Sequence, residues 1–201
     1  PRGGGFYTRP PRGNDAPPTR PPQDDPRAMT TEAKIPNVLT IAGVDPSGGA
    51  GVLADVKAIS ALRAYACAVV AALTAQNTRA VTGVFAIPPS FVREQIDTLF
   101  ADVRIDAAKI GMVGAAGVIR AVADGLLHWK PPHVVLDPVM IAKSGDVLLA
   151  KDAVGALVDA LVPCATVLTP NLPEAGTLLG ERAPENVKEM RRAAERLRER
   201  M

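Results

Sequence analysis

Ala42-Gly43-Val44-Asp45-Pro46-Ser47-Gly48-Gly49-Ala50-Gly51 is the stretch that decides how this chain is read. An apolar run, Val38 to Ile41, precedes it and has the character of a buried strand. Val52 to Ala64 follows, with Val52, Val56 and Ile59 at helical spacing. Strand, glycine-rich turn and helix together bring free backbone N–H groups and the positive end of a helix dipole to a polar or anionic ligand. Pro46 and Ser47 suit the turn into the helix, and Gly48, Gly49 and Gly51 allow a sharp bend close to a small molecule. Neither G-x-x-x-x-G-K-[ST] nor G-x-G-x-x-G occurs, so the stretch is neither a P-loop nor a dinucleotide fingerprint. A plain flexible strand-to-helix connection is the competing reading.

Beyond this stretch the chain alternates. Cys67–Thr74 and Val81–Ile87 read as strands, the second ended by Pro88-Pro89. A helix follows with Ser90 as its cap and Val92, Ile96, Leu99 and Val103 as one stripe. Ala107–Met112 is strand-like. Ile119, Val122 and Leu126 mark a helix that stops before Pro131-Pro132. His133–Leu136 is a strand, Val154–Leu161 a helix, Ala165–Thr169 a strand. Val187, Met190, Ala194 and Leu197 mark a last helix. Such alternation predicts an α/β fold: three αβα layers, with a mostly parallel sheet and helices on both faces.

Composition narrows the function. Hydrophobic residues make up 47% and charged residues 22%, as in an ordinary globular domain. No apolar run is long enough to span a bilayer, and no apolar signal core opens the chain. Cys67 and Cys164 form neither a CxxC pair nor a disulfide framework, which fits buried thiols in a reducing cytoplasm. His128 and His133 flank a Pro-Pro break and read as ordinary surface residues rather than metal ligands. The formal charge of +2 comes from residues 1–28, which hold five arginines against three aspartates. The rest is neutral and poor in aromatics, which argues against nucleic-acid binding. Residues 1–28 also carry eight prolines and no hydrophobic period, so a disordered tail is expected there. Met29 looks like a natural start, which would make the tail a mis-assigned start or an expression remnant, and 29–201 the domain. The last helix runs to Met201 with no Gly, Pro or cap, an expectation of a chain cut short.

The polar residues follow the strands: Gly43–Gly51, Gln76-Asn77, Gly111-Met112, Asp137-Pro138-Val139-Met140 and Thr169–Glu174. In a parallel sheet these loops share one edge, where ligands bind outside the carboxyl ends of the strands. Each also has a structural explanation. Asn171-x-x-Glu174 fits a helix capping box, Asp137-Pro138 a turn, and Asp55 a carboxylate in the first turn of its helix. Their convergence on one edge favours a site.

From Asn37 to Gly180 the sequence closely resembles the bacterial hydroxymethylpyrimidine/phosphomethylpyrimidine kinases of thiamine biosynthesis, in the ribokinase-like superfamily. The resemblance rests on LTIAGVDPSGGAG (39–51), ADVKAISAL (54–62), TAQNT (74–78), DVRIDAAKIGM (102–112), VVLDPVM (134–140), AKSGD (142–146) and TPNLPEA (169–175). It implies phosphorylation of an aminopyrimidine and of its monophosphate, with ATP and Mg²⁺. By the same resemblance Gln76 bonds the aminopyrimidine ring, and Gly43, Ala50, Met112 and Val139 shape the pocket. Asn171 and Glu174 hold the metal and, with Asp137, the ATP phosphates. The family's Gly-Thr-Gly-Cys anion hole and general base have no counterpart before Met201, so no residue is assigned as the base. A pyridoxal or pyridoxine kinase and a non-catalytic pyrimidine-binding relic are the alternatives, and a homodimer is left open.

Overall fold

The computed structural model describes residues 34–140 and 151–201. The expected tail at 1–28, the start at Met29 and the AKSGD stretch lie outside the described residues. Lys34–Met201 forms one compact unit.

Six strands form a single sheet: β1 (Asn37–Val44), β2 (Tyr65–Gln76), β3 (Val81–Ala86), β4 (Ala107–Ile110), β5 (Val134–Leu136) and β6 (Val167–Leu168), in the order β3-β2-β1-β4-β5-β6. The helices are α1 (Gly51–Ala61), α2 (Pro89–Asp102), α3 (Ala116–Trp129), α4 (Lys151–Ala156), α5 (Leu172–Leu179) and α6 (Val187–Arg198). α4 continues through a wider π-type turn, Leu157–Leu161, into a 3-10 turn, Val162–Cys164. β1 sits centrally, with Leu39, Ile41 and Ala42 fully buried. An uninterrupted apolar run of this kind suits a strand covered on both faces.

One connection departs from the expected alternation. β3 pairs antiparallel with β2, so Gln76 and Val81 face each other across a hairpin rather than a helical crossover. β1, β2, β4, β5 and β6 are parallel. Because β3 joins β2 only from Ala72 onward, the backbone of Val70 on that edge needs another partner. Gln95 of α2 supplies it, accepting from Val70 N at 3.0 Å and donating to Val70 O at 3.1 Å.

The expected stripes hold for α2 and α3, where Val92, Ile96, Ile119, Val122 and Leu126 are all buried. Three local expectations need correction. Ser90 does not cap α2: Pro88 occupies that position and Pro89 fills the first turn, where a missing N–H costs nothing. α6 buries Ala193 and Leu197, while Val187 and Met190 stay exposed, so its inner face is rotated from the expected stripe. Asp55 lies beyond the first turn of α1, which contains no acid. Its carboxylate has other partners.

Candidate active site at the carboxyl rim of the sheet

The chain leaves β1 for β2 on one side and reaches β4 on the other. The connections that follow β1 and β4 therefore lead in opposite directions along the sheet, the kind of switch point where open α/β sheets take their ligands. Backbone bonds fix the two strand ends: Gly111 N donates to Ile41 O at 2.9 Å, and Gly43 N to Met112 O at 2.9 Å. Gly43 sits where the β1–β2 register shifts. A Cβ there would lie 2.6 Å from Met112 Cε, so the methionine side chain lies directly over this glycine. The sequence-expected floor and wall of the pocket are thus in contact. The thioether is flexible and can swing aside, so Gly43→Ala should fold normally. Displacing the wall should raise KM for a flat ring about 10-fold with little change in kcat, readable by steady-state kinetics.

The glycine-rich turn is organised by a residue that sequence reasoning did not assign. Asp45 is 5% exposed and gathers the loop around its carboxylate. It accepts from Ser47 N (2.8 Å), Ser47 Oγ (2.7 Å), Gly49 N (3.1 Å) and Ala50 N (3.0 Å). This corrects the expectation of free N–H groups awaiting an anion: those of Ser47, Gly49 and Ala50 are already taken. Ala50, the exposed N-cap of α1, is held at the rim by its bond to Asp45. Carboxylate–proline–small-residue turns are a known signal for such self-capping, and Asp45-Pro46-Ser47 carries it.

Burial alone would raise the Asp45 pKa, but the bonds from Ser47, Gly49 and Ala50 outweigh it and hold the carboxyl below its ordinary value. A depressed acid stabilises the fold fully above its unfolded value of 3.8, and that contribution disappears as pH falls through the lower folded-state value. Asp45→Asn should cost about 2–3 kcal/mol at neutral pH, because an amide cannot accept all of these bonds. In denaturant titrations the gap to the unsubstituted protein should narrow in acid below pH 4.

Across the switch point, Asp137 follows β5 and is tied to β4 through its own N–H, which donates to Ile110 O at 2.9 Å. Its side chain is 38% exposed, and Oδ2 lies 3.7 Å from Lys109 Nζ. Lys109 also donates to both oxygens of Asp55, at 3.2 and 3.0 Å, and Thr40 Oγ1 donates to Asp55 Oδ2 at 2.6 Å. The ammonium thus bridges two carboxylates. Neither Lys109 nor this role of Asp55 was expected, although a lone lysine in the apolar run Ala107–Ile110 signals that a carboxylate must meet it. Val139 follows at the same edge, its N–H bonded to Asp137 O at 2.8 Å.

Gln76 ends β2 at the opposite flank of the switch point. Its amide meets Thr74 Oγ1 at 3.1 Å, and that hydroxyl also reaches Val44 O at 2.8 Å. On the far flank, Thr169 N donates to Leu136 O at 3.0 Å, setting the end of β6 beside β5. Asn171 and Glu174 follow as a complete capping box for α5: Glu174 N donates to Asn171 Oδ1 and Asn171 N to Glu174 Oε2, both at 2.9 Å. The structural explanation for this pair therefore holds. Glu174 is 8% exposed, and its Oε1 makes no hydrogen bond among the described residues. Gln76, Gly43, Ala50, Met112, Asp137, Val139, Asn171 and Glu174 all sit on the carboxyl rim. Among the described residues, contacts within this set join Gly43 with Met112, Asp137 with Val139, and Asn171 with Glu174.

Among the described residues no three acidic, cysteine or histidine side chains cluster as a metal cage. Glu174 Oε1, which has no hydrogen bond among the described residues, and the part-exposed Asp137 fit Mg²⁺, which keeps its waters and binds through one or two carboxylates plus phosphates. A separate groove of about 470 Å³ runs between α3 and the α4 segment, lined by Arg120, Asp124, Asp159 and Cys164. It lies in a helical layer away from the rim and brings together none of the residues above. The described residues contain no helix long and apolar enough to cross a membrane.

Residues 45–201 match the family model described as phosphomethylpyrimidine kinase. A hydroxymethylpyrimidine/phosphomethylpyrimidine kinase of Escherichia coli is 55% identical over 143 residues, covering 71% of this chain and 54% of that protein. The chain thus spans about half the length of the curated relatives it matches. The crystal structure of a phosphomethylpyrimidine kinase from Clostridium difficile superposes with a TM-score of 0.78 at 41% identity, covering 82% of this chain and 71% of that one. A pyridoxal kinase from Staphylococcus aureus, in complex with AMP-PCP and pyridoxal, superposes with a TM-score of 0.72 at 31% identity, covering 83% and 59%. With its ribokinase-like αβα architecture and a family match across more than three quarters of its residues, the chain belongs to the phosphomethylpyrimidine kinase family.

Proposed function

We propose that the protein transfers phosphate from ATP to the hydroxymethyl group of 4-amino-5-hydroxymethyl-2-methylpyrimidine, and then to the monophosphate, giving the pyrophosphate used in thiamine biosynthesis. The observation that carries this reading is the pairing of Gly43 with Met112 at the carboxyl ends of β1 and β4, flanked on the same rim by the Gln76 amide. A flat ring can lie against the surface that the bare backbone and the thioether form together, and an amide supplies the donor and acceptor that an aminopyrimidine edge needs. Ala50 and Val139 close the pocket with small apolar surface.

In the transfer, the hydroxymethyl oxygen attacks the γ-phosphorus and gives up its proton to solvent, the bond to the β,γ-bridging oxygen breaks, and ADP leaves. Little covalent work falls to the protein, so positioning and charge neutralisation carry the rate. Glu174, steadied by Asn171 through the capping box, would hold Mg²⁺ through Oε1 and water, with Asp137 beside the phosphates. Bound there, Mg²⁺ would neutralise charge building on the phosphate oxygens. Lys109, anchored by Asp55, sets the position of the Asp137 carboxylate. Free cysteines and the absence of a long apolar helix among the described residues accord with a cytoplasmic enzyme.

Incubation with ATP and Mg²⁺ tests the reading. Formation of the pyrimidine monophosphate and pyrophosphate, with slower turnover of pyridoxal, is the expected result. Faster turnover of pyridoxal would favour the related vitamin kinase. Binding of the pyrimidine without ATP consumption would favour a non-catalytic binding protein.

A further inference from the structure

Thr74 stands between a carbonyl and an amide, and its single proton cannot serve both. Thr74 Oγ1 is 2.8 Å from Val44 O and 3.1 Å from the near atom of the Gln76 amide, placed as Oε1. A backbone carbonyl only accepts, so the contact with Val44 requires the hydroxyl proton. An amide oxygen at 3.1 Å would then face the hydroxyl lone pairs with no proton between them. Sending the proton to Gln76 instead leaves two bare oxygens 2.8 Å apart at Val44. A half-turn of the amide, which exchanges oxygen and nitrogen with almost no change of shape, satisfies every group. Gln76 Nε2 then donates to Thr74 Oγ1, which donates to Val44 O.

We propose that Thr74 is a positioning residue that locks the Gln76 amide in this sense and so makes the site selective for amino- over oxo-pyrimidines. The proposal rests on the reading of Gln76 as the ring-binding residue. With Nε2 held toward Thr74, the amide has its carbonyl oxygen and one remaining N–H to offer. An aminopyrimidine edge carries an exocyclic N–H donor beside a ring-nitrogen acceptor, which is the complement of that pair. A 4-oxo analogue carries an acceptor beside a ring N–H, and would need the amide reversed. Reversal would break the bond to Thr74 and restore the clash of lone pairs.

Two measurements test this. In the unliganded protein, NMR should show a nuclear Overhauser contact between the Gln76 side-chain amide protons and the Thr74 methyl group. Their absence overturns the proposal whatever the ligand. Calorimetry should then compare the aminopyrimidine with its 4-oxo analogue on the unsubstituted protein, Thr74→Val and Thr74→Ser. Thr74→Val should weaken binding of the amino compound about 10-fold and shrink its advantage over the oxo compound by a similar factor, while Thr74→Ser retains both. With ATP present the loss should fall on KM and leave kcat nearly unchanged. An undiminished preference in Thr74→Val, or an equal loss in Thr74→Ser, overturns the proposal. Failure of the unsubstituted protein to bind either pyrimidine would refute the substrate reading instead, and the NMR contact would still decide the amide's orientation.

Discussion

Gly51→Ala should destabilise the protein by about 3 kcal/mol or more and abolish pyrimidine binding together with it. Two independent observations converge on this glycine. Its φ is +56°, where an L side chain is strained, and a Cβ built there would lie 2.2 Å from Gly43 O. Backbone, unlike the Met112 side chain over Gly43, cannot swing aside. The strand would have to separate from the first turn of α1, breaking the bridge between Val44 and Gly51. That movement would drag Gly43 out of register with Met112 and loosen the loop gathered by Asp45. In a domain of this size the thermal midpoint should fall by on the order of 10 °C. Gly43→Ala, by contrast, should leave the midpoint nearly in place. A Gly51→Ala protein that melts and binds normally would mean that the turn does not hold the floor of the pocket.

Glu174→Gln should lower kcat by about 100-fold or more while leaving stability within about 1 kcal/mol. The geometry supports separate roles for the two carboxylate oxygens. Oε2 accepts from Asn171 N and completes the cap of α5, a role an amide oxygen can fill. Oε1 makes no hydrogen bond among the described residues and is the oxygen through which charge would act on the metal and phosphates. Glu174→Ala should lose the cap as well and cost a further 1 kcal/mol or so in denaturant titrations. If Glu174→Gln keeps full turnover, the carboxylate is a helix cap and nothing more.

Much of this arrangement was legible before any coordinates. An unbroken apolar run marked β1, and helical periodicity marked α2 and α3, because each of these elements is buried by its apolar residues. The crowding of polar residues after strand ends marked the rim, because parallel strands deliver all their carboxyl-end loops to one edge. The antiparallel turn of β3 was not legible: a hairpin and a crossover both begin with a polar break such as Gln76-Asn77, and only pairing distinguishes them. Nor was the network built on Asp55, which takes both Thr40 and Lys109 as donors. Thr40 and Asp55 lie on β1 and α1, far from Lys109 in sequence, and side-chain networks of that separation leave no periodic trace. Asp45 was hidden by its neighbours, since a glycine-rich turn reads as open to ligand whether or not an acid has already claimed its N–H groups. The family's role for Asn171 and Glu174 and the capping box are compatible for a physical reason: a cap takes one oxygen of a carboxylate and leaves the other.

Amide hydrogen exchange with and without 4-amino-5-hydroxymethyl-2-methylpyrimidine probes the shared rim most directly. Slower exchange should appear together at 43–50, 74–77 and 110–114, with the groove lined by Arg120, Asp124 and Asp159 unaffected. Protection in that groove, or at one of the three rim segments without the others, would contradict a single pocket at the carboxyl ends of β1, β2 and β4.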